Sequence, residues 1–467
     1  MTAQPLTPPN ASSTPQLILC ADGGGSKVCV VIRSEDGLEV RGTAGPCNVQ
    51  SVGYALAAQS ILLATYRALS LLPRSYLPNE LSIPSLSPIP SPSTPKSAST
   101  PTSHQHMHLP TTHHLALSSN PASPIPSRPT TPSPGRSPTL PRLNVPIFRY
   151  AWLGLAGISC EADEKAFGSV AAGALGLGED RVKVTNDVNL LAAPALDFPE
   201  VDHVVAAVAG TGTVGRTIRV ASPSGSASVP DSEGKRRGLP LEDVAVSRGW
   251  GYLLCDEGSA FWMGRLAIRS LLTMADRYAS TSIYTTPTPP FLPLHHDLLD
   301  YFGTSDPLDL ITITSLTGPG SEGLDAGEAT SRRNALIAGA ARVVFRWAFP
   351  DDVGGGGLPT PPGSAESETT TTTKEEKASH EEALRLAKLS VRPMIELTTS
   401  LLGDGSVVKP SRTALALGGG LMMSQGYRTL LLEGLKKDGI NFEKVVVVRD
   451  AAGEGARGLA RVEFGGD

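Results

Sequence analysis

Two stretches of the chain, "LILCADGGGSKVCVVIR" (17–33) and "HVVAAVAGTGTVGRTIRV" (203–220), repeat one pattern: an apolar run, a glycine-rich turn carrying a hydroxyl, and a second apolar run. Short apolar runs bounded by glycine read as buried strands. A hairpin turns on two residues such as Asn-Gly, so Gly23, Gly24 and Gly25 in succession exceed what a turn requires. Without Cβ atoms they let backbone N–H groups approach a ligand closely, and Ser26 and Lys27 add a hydroxyl and a cation, which are the parts of a phosphate site. Laid on this stretch, the second places Gly210 on Gly23 and Thr213 on Ser26, with Thr211 and Gly212 between them and Ala209 in place of Asp22. Taken alone, either turn reads equally as a glycine-rich hairpin. Taken together, they imply two similar α/β domains facing each other across a cleft, with both turns closing on one polyphosphate.

The elements between and after these hairpins follow in order. Strands over 17–21 and 28–33 precede a helix over 52–71 with Leu56, Leu63 and Tyr66 on its apolar face. Then come a strand "YAWLGLAG" (150–157), a helix "EADEKAFGSVAAGAL" (161–175), a strand "RVKVTND" (181–187) and an Ala/Leu-rich helix. Three segments depart in composition. Residues 73–146 are rich in Pro, Ser and Thr and read as a disordered insertion, 221–238 as a long loop, and 354–379 as a second disordered insertion. The expected organisation is a disordered N-terminus (1–15), a first domain over 16–200, and a second over 201–467 whose last helix packs back on the first.

A formal net charge of -5 gives no support to nucleic-acid or anionic-membrane binding, and no apolar run reaches the ~18 residues of a membrane span. The five cysteines (Cys20, Cys29, Cys47, Cys160, Cys255) are scattered with no C-x-x-C pair, which disfavours a disulfide framework or a zinc or iron–sulfur site. With an N-terminus lacking the basic and apolar regions of a secretory signal, a cytoplasmic location is expected. The histidine-rich run "HQHMHLPTTHH" (104–114) has no acidic or cysteine partners and reads as adventitious metal affinity. Ser-Pro and Thr-Pro dipeptides in the same insertion suit either proline-directed phosphorylation or a plain spacer.

In its motifs the chain resembles the sugar kinase, actin and heat-shock ATPase superfamily, and within it the BadF-type ATPases and the N-acetylglucosamine kinases. "ADGGGSK" (21–27) resembles the first phosphate motif, "TNDVNLLAA" (185–193) the segment with the catalytic aspartate, and "AGTGTVG" (209–215) the second phosphate motif. "RGWGYLLCDEGSAFWMGRLAI" (248–268) resembles the family's most diagnostic segment, and "ALALGGGLMMS" (414–424) its adenosine-holding strand and glycines. The resemblance implies an α/β fold of two ribonuclease H-like, actin-like ATPase domains around a nucleotide and sugar cleft.

It also implies roles. ATP would lie on Asp22, Gly23, Gly24, Gly25, Ser26, Lys27, Gly210, Thr211, Gly212, Thr213, Gly418, Gly419 and Gly420, with Mg²⁺ held by Asp22, through water. Asp187 would be the base that accepts the proton of a sugar hydroxyl. Asn48, Gly249, Trp250, Gly251 and one of Asp256 and Glu257 would meet the sugar. The residues themselves leave other readings open: Asp22 also fits a turn-initiating Asp, Asp187 a helix N-cap, and Asn48 an ordinary loop residue. Three positions depart from the family pattern: Arg248 replaces a small residue before the Trp, Val214 an often polar one, and Cys255 a glycine. The expected activity is phosphorylation of an amino sugar, N-acetyl-D-glucosamine to its 6-phosphate. The alternatives are an ATPase that activates another enzyme, and a non-catalytic sugar sensor or scaffold. Homodimerisation, and protein partners or kinases acting on 73–146, complete the partner expectations.

Overall fold

The computed structural model describes residues 15–85, 140–220, 239, 241–280, 283, 285, 290–355 and 373–465. β1 (Leu17–Gly23) and β2 (Val28–Ser34) form an antiparallel hairpin, and β3 (Glu39–Ala44) extends it. On the other side of β1, β4 (Phe148–Leu155) and β5 (Val182–Thr185) add in parallel, giving the order β3-β2-β1-β4-β5. The second sheet repeats this with β6 (His203–Ala209), β7 (Thr213–Arg219) and β8 (Glu242–Arg248) antiparallel, then β9 (Thr413–Gly418) and β10 (Lys444–Val447) parallel. Its order, β10-β9-β6-β7-β8, is the first order strand for strand. This duplicated sheet is the ribonuclease H-like arrangement expected for the chain.

The central strands are near-continuous apolar runs because both of their faces are covered. Leu17, Leu19 and Ala21 of β1 face a core shared with the helices Tyr54–Leu69 and Glu161–Leu175, while Ile18 and Cys20 face the opposite way. That opposite face belongs to a core between the two sheets. It holds Val188, Leu190 and Leu191 of the segment Asp187–Asp197, Ala452, Ala456 and Leu459 of the helix Ala451–Phe464, and Ala206, Ile218 and Ala416 of the second sheet. The last helix thus lies against β1 and β2, and Arg41 donates to Asp450 at its N-cap (2.6 Å).

The structure differs from the sequence-based expectation at four places. In the helix Tyr54–Leu69, Leu56 is 62% exposed, and Ala57, Ala58, Ile61 and Leu62 face the core. Small residues win the inner face because the helix lies very close to β3, where a Cβ on Gly42 would sit 2.0 Å from the Ala64 carbonyl oxygen. The segment after β5 is a 3₁₀ helix, Asp187–Asp197, with Pro194 inside it; proline has no N–H for the α ladder. The flanks of the 73–146 insertion are ordered, since Leu77, Leu81 and Leu143 are buried and the Tyr66 hydroxyl donates to the Pro141 carbonyl (2.9 Å). Residues 374–379 open the long helix Lys374–Leu402, started by a Thr373–Glu376 capping box. The remainder of the insertions, with the histidine run 104–114, the Ser-Pro dipeptides and the loop 221–238, lies outside the described residues. Among the described residues no helix is long and apolar enough to cross a membrane.

The inter-sheet core has no room at Gly455, where a Cβ would meet the Cys20 sulfur at 2.5 Å. A helical Gly→Ala change ordinarily stabilises by about 1 kcal/mol. Gly455→Ala is expected to have the opposite sign, destabilising by about 1–3 kcal/mol through overpacking. A urea midpoint equal to or above wild type would contradict this close packing.

Candidate active site

Each glycine turn is anchored on one side and open on the other. In the first, the Gly24 N–H donates to the Lys27 carbonyl (2.9 Å), while the Gly23 carbonyl accepts from Ala156 (2.7 Å) and the Gly24 carbonyl from Cys47 (2.9 Å). Gly23 is packed, since a Cβ there would meet Leu155 at 2.5 Å, whereas Gly25 opens to nothing within 4 Å and Ser26 and Lys27 are exposed. In the second, the Gly210 N–H donates to the Gly212 carbonyl (2.9 Å), and the Gly210 carbonyl accepts from Ala260 (2.9 Å) at the start of the helix Ala260–Ala279. Gly210 is likewise open. Neither Gly25 nor Gly210 has a positive φ or a close neighbour, so neither packing nor backbone geometry requires glycine there.

The glycines after β9 complete this region. Gly419 has φ +87°, and its Cβ would lie 2.5 Å from the Ala209 carbonyl oxygen, so the backbone of 418–420 rests directly on the second turn. Beside this contact opens a cavity of about 410 Å³, lined by Gly210, Thr211 and Gly420 together with Ala338, Phe345 and Asp352. Its size and its mixture of apolar walls with a few polar groups suit a small organic ligand. Asp352 accepts from the Ser424 hydroxyl (2.5 Å) and from Gly426 N–H (3.1 Å), fixing the cavity rim. Sequence reading named Gly210, Thr211 and Gly420 but missed the helices Ala326–Gly339 and Ala341–Ala348 that supply Ala338 and Phe345. Their signal was the run of small residues "AGAA" (338–341) between apolar stretches.

Asp22 ends β1 at the cleft, half-buried, and Asp187 opens the 3₁₀ segment after β5. Burial, reinforced by the charges of Asp187 and Asp450 and opposed by Lys27, pushes the Asp22 carboxyl up to about 6. Burial also raises Asp187, against the Val188 N–H and the nearby Arg216 cation. Asp187 Oδ1 accepts from Val188 (3.1 Å), and the N-cap of its helix is Asn186, so capping does not account for Asp187. Asp450 goes the other way: burial would raise it, but Arg41 and the Gly453 N–H hold it below the usual carboxylate range. Carboxylates gathered in a cleft against their preference for ionisation fit a divalent cation. Among the described residues no three His, Cys, Asp or Glu side chains are grouped to hold a metal ion. Buried Arg216 and Asn189 and the exposed Asp243, none singled out from sequence, form a polar group near Asp187.

The sugar-site candidates divide. Asp256 turns its carboxylate toward the second turn and the 249 backbone: it accepts from Thr213 N–H (3.4 Å), and a Cβ on Gly249 or Gly212 would meet it at 2.3 or 2.6 Å. Burial raises its pKa against the N–H groups of Thr213 and Gly251. Glu257 is exposed. Trp250 is 71% exposed with φ 69°, next to Gly251 with φ 78°. Cys255 has φ 86°, a left-handed conformation that suits the glycine of the family pattern and strains a side chain. Asn48 caps the turn Val49–Val52, its Oδ1 accepting from Gln50 (3.0 Å) and Ser51 (3.3 Å), which leaves its amide nitrogen for a ligand. Arg248 is exposed and pairs across the sheet with Val214, so both departures lie side by side.

No protein-family model matches the chain, and no curated protein matches it. Among solved structures it is similar to a provisional N-acetylglucosamine kinase from Chromobacterium violaceum, at 16% identity over 96% of this chain and 100% of that one, TM-score 0.46. A second such kinase from Porphyromonas gingivalis has 13% identity over 96% and 99%, TM-score 0.48. A ROK-family glucokinase from Streptomyces griseus, in complex with glucose and AMPPNP, has 13% identity over 97% and 100%, TM-score 0.37. At these identities and TM-scores the likeness assigns the chain to no family.

The raised Asp22 pKa has a consequence for stability. A carboxyl whose folded pKa exceeds its ordinary 3.8 contributes stability that is complete below that value and lost as pH rises through about 6. In magnesium-free protein, Asp22→Asn is expected to remove this loss, stabilising by on the order of 1–3 kcal/mol at neutral pH and by little near pH 4. Thermal unfolding across this range checks it, and a midpoint at neutral pH no higher than wild type would contradict the burial of Asp22.

Proposed function

We propose that the chain is an ATP-dependent sugar kinase that transfers the terminal phosphoryl group of ATP to the primary hydroxyl of N-acetylglucosamine. The observation that carries this reading is the pair of open glycine turns at equivalent strand ends of a duplicated sheet, with Asp187 near enough to Asp22 for its charge to raise the Asp22 carboxyl. The turn at 23–27 and the turn at 210–213 offer backbone N–H groups and hydroxyls to the phosphates, and the cavity beside Gly420 takes the nucleoside. A bound magnesium ion supplies charge neutralisation at the phosphates, and Asp22 would hold it.

Asp187 has Oδ1 engaged by Val188 and Oδ2 left for substrate. The sugar hydroxyl oxygen attacks the terminal phosphorus as the bond to ADP breaks, and its proton passes to Asp187. Burial makes this carboxylate a stronger base than a free aspartate, as a positioned base requires. The choice of sugar rests on the resemblance of Gly249-Trp250-Gly251 and Asp256-Glu257-Gly258-Ser259 to the family's diagnostic segment. Of Asp256 and Glu257, we assign the sugar hydroxyls to Asp256, which lies half-buried between the second turn and Gly249, whereas Glu257 is exposed.

ADP release from Mg-ATP is expected to depend on N-acetylglucosamine, and Asp187→Asn to retain less than about a tenth of wild-type kcat. Release independent of sugar would favour an ATPase. Retained turnover in Asp187→Asn would remove Asp187 as the base.

A further inference from the structure

Close to Asp187 the two halves of the chain grip one carboxylate. Asp243 Oδ1 accepts from Asn189 Nδ2 (2.7 Å), and Asp243 Oδ2 is ion-paired with Arg216 Nη1. Asn189 belongs to the first half, two residues after Asp187, and its N–H donates to the Asn186 carbonyl (3.1 Å) in the same turn. Arg216 lies on β7, three residues beyond the second glycine turn's Thr213. Strand alternation puts Gly215 against Leu397 and Leu401 of the outer helix, and hence Arg216 on the inter-sheet side with Val214 and Ile218. A register shift leaves Val244 unpaired and sets Asp243 opposite Ile218, on that same side.

Arg216 is 4% and Asn189 2% exposed, yet each keeps an orphan: Arg216 Nε and Asn189 Oδ1 have no hydrogen-bond partner among the described residues. Unpaired buried polar atoms are rare in folded proteins. Here one is a donor and the other an acceptor, on two side chains that reach the same carboxylate from opposite halves. They are complementary to each other, and both side chains already hold Asp243.

We propose that Arg216, Asp243 and Asn189 form a clamp across the cleft, completed by an Arg216 Nε–H to Asn189 Oδ1 bond when the halves close on their substrates, and that Arg216 is thereby a positioning residue for Asp187. The bond ties the turn carrying Asp187 to the strand that leaves the second phosphate turn, so base and phosphate site share one frame only in the closed state. Its kinetic consequence rests on the kinase reading above; the bond itself does not.

The test is a double-mutant cycle with Arg216→Lys, which keeps a cation against Asp243 but lacks the Nε–H, and Asn189→Ala, which removes the acceptor together with the amide that donates to Asp243. Each is expected to lower kcat about tenfold or more while KM for ATP and sugar moves less than about threefold, with the double variant no slower than the slower single. A second arm needs no turnover: urea midpoints of the four proteins, with and without AMPPNP plus N-acetylglucosamine. Through the shared Asp243 some coupling is expected without ligands, and a clearly larger coupling with them. Wild-type kcat in Asn189→Ala, multiplying losses, or the same coupling with and without ligands would overturn the clamp. Ligand-dependent coupling in a protein that phosphorylates no sugar would support the clamp and reject the kinase reading. Should Arg216→Lys fail to fold, Asn189→Ala alone decides through its split between kcat and KM.

Discussion

The packing of two chain segments between the sheets is the constraint on which the rest depends. The 3₁₀ segment Asp187–Asp197 and the helix Ala451–Phe464 fill the space that would otherwise leave two apolar sheet faces exposed to water. Their small residues decide how close the sheets come. Gly455 sits on the Cys20 sulfur and Gly458 on Ala193, so helix and sheet meet with little between them. Because the segment that seals this core begins at Asp187, burying apolar surface and holding a carboxylate at the cleft edge are the same structural act.

That arrangement sets the electrostatics of the cleft. Asp22 reaches it from the end of β1, Asp187 from the segment after β5 on the far side of β4, and Asp450 from the N-cap of the last helix. Asp450 is neutralised by Arg41, whereas Asp22 has only Lys27 acting in its favour against burial and two like charges. An uncompensated carboxylate costs stability in the free protein, and the cost is recovered when a cation or a phosphate-bound ion arrives. The strained residues Trp250, Cys255 and Asp256 cluster in one loop against the second turn, in line with the tendency of strain to gather at binding sites.

What could be read in the sequence were features that repeat or punctuate. The duplicated hairpin shows in glycine spacing alone, because strand ends need particular residues whatever surrounds them, and the matching strand orders follow from it. Features that depend on how closely elements approach were not legible. Leu56 looked interior by spacing, but the close approach of the helix to Gly42 turned alanines inward instead. Likewise Arg216, Asp243 and Asn189 lie far apart in sequence, and only a register shift in β8 brings Asp243 to the others. The cavity walls at Ala338 and Phe345 come from helices with no motif of their own.

The one break in the duplication, Asp22 against Ala209, has a packing reason. Ala209 is fully buried, and its carbonyl lies against the Gly419 backbone where the 418–420 turn crosses the strand end. An aspartate there would be an enclosed, unpaired charge, which proteins avoid. At the equivalent end of β1 the crossing backbone is Ala156, which instead donates its N–H to the Gly23 carbonyl and leaves Asp22 partly open to the cleft. The second half recovers a carboxylate from a distance, through Asp256, whose side chain reaches Gly212 and Thr213 from the strained loop. The duplicated fold therefore divides its labour: one turn keeps its own charge at the cleft, and the other gives up that charge where the 418–420 backbone and a cavity of about 410 Å³ lie directly beside its glycines.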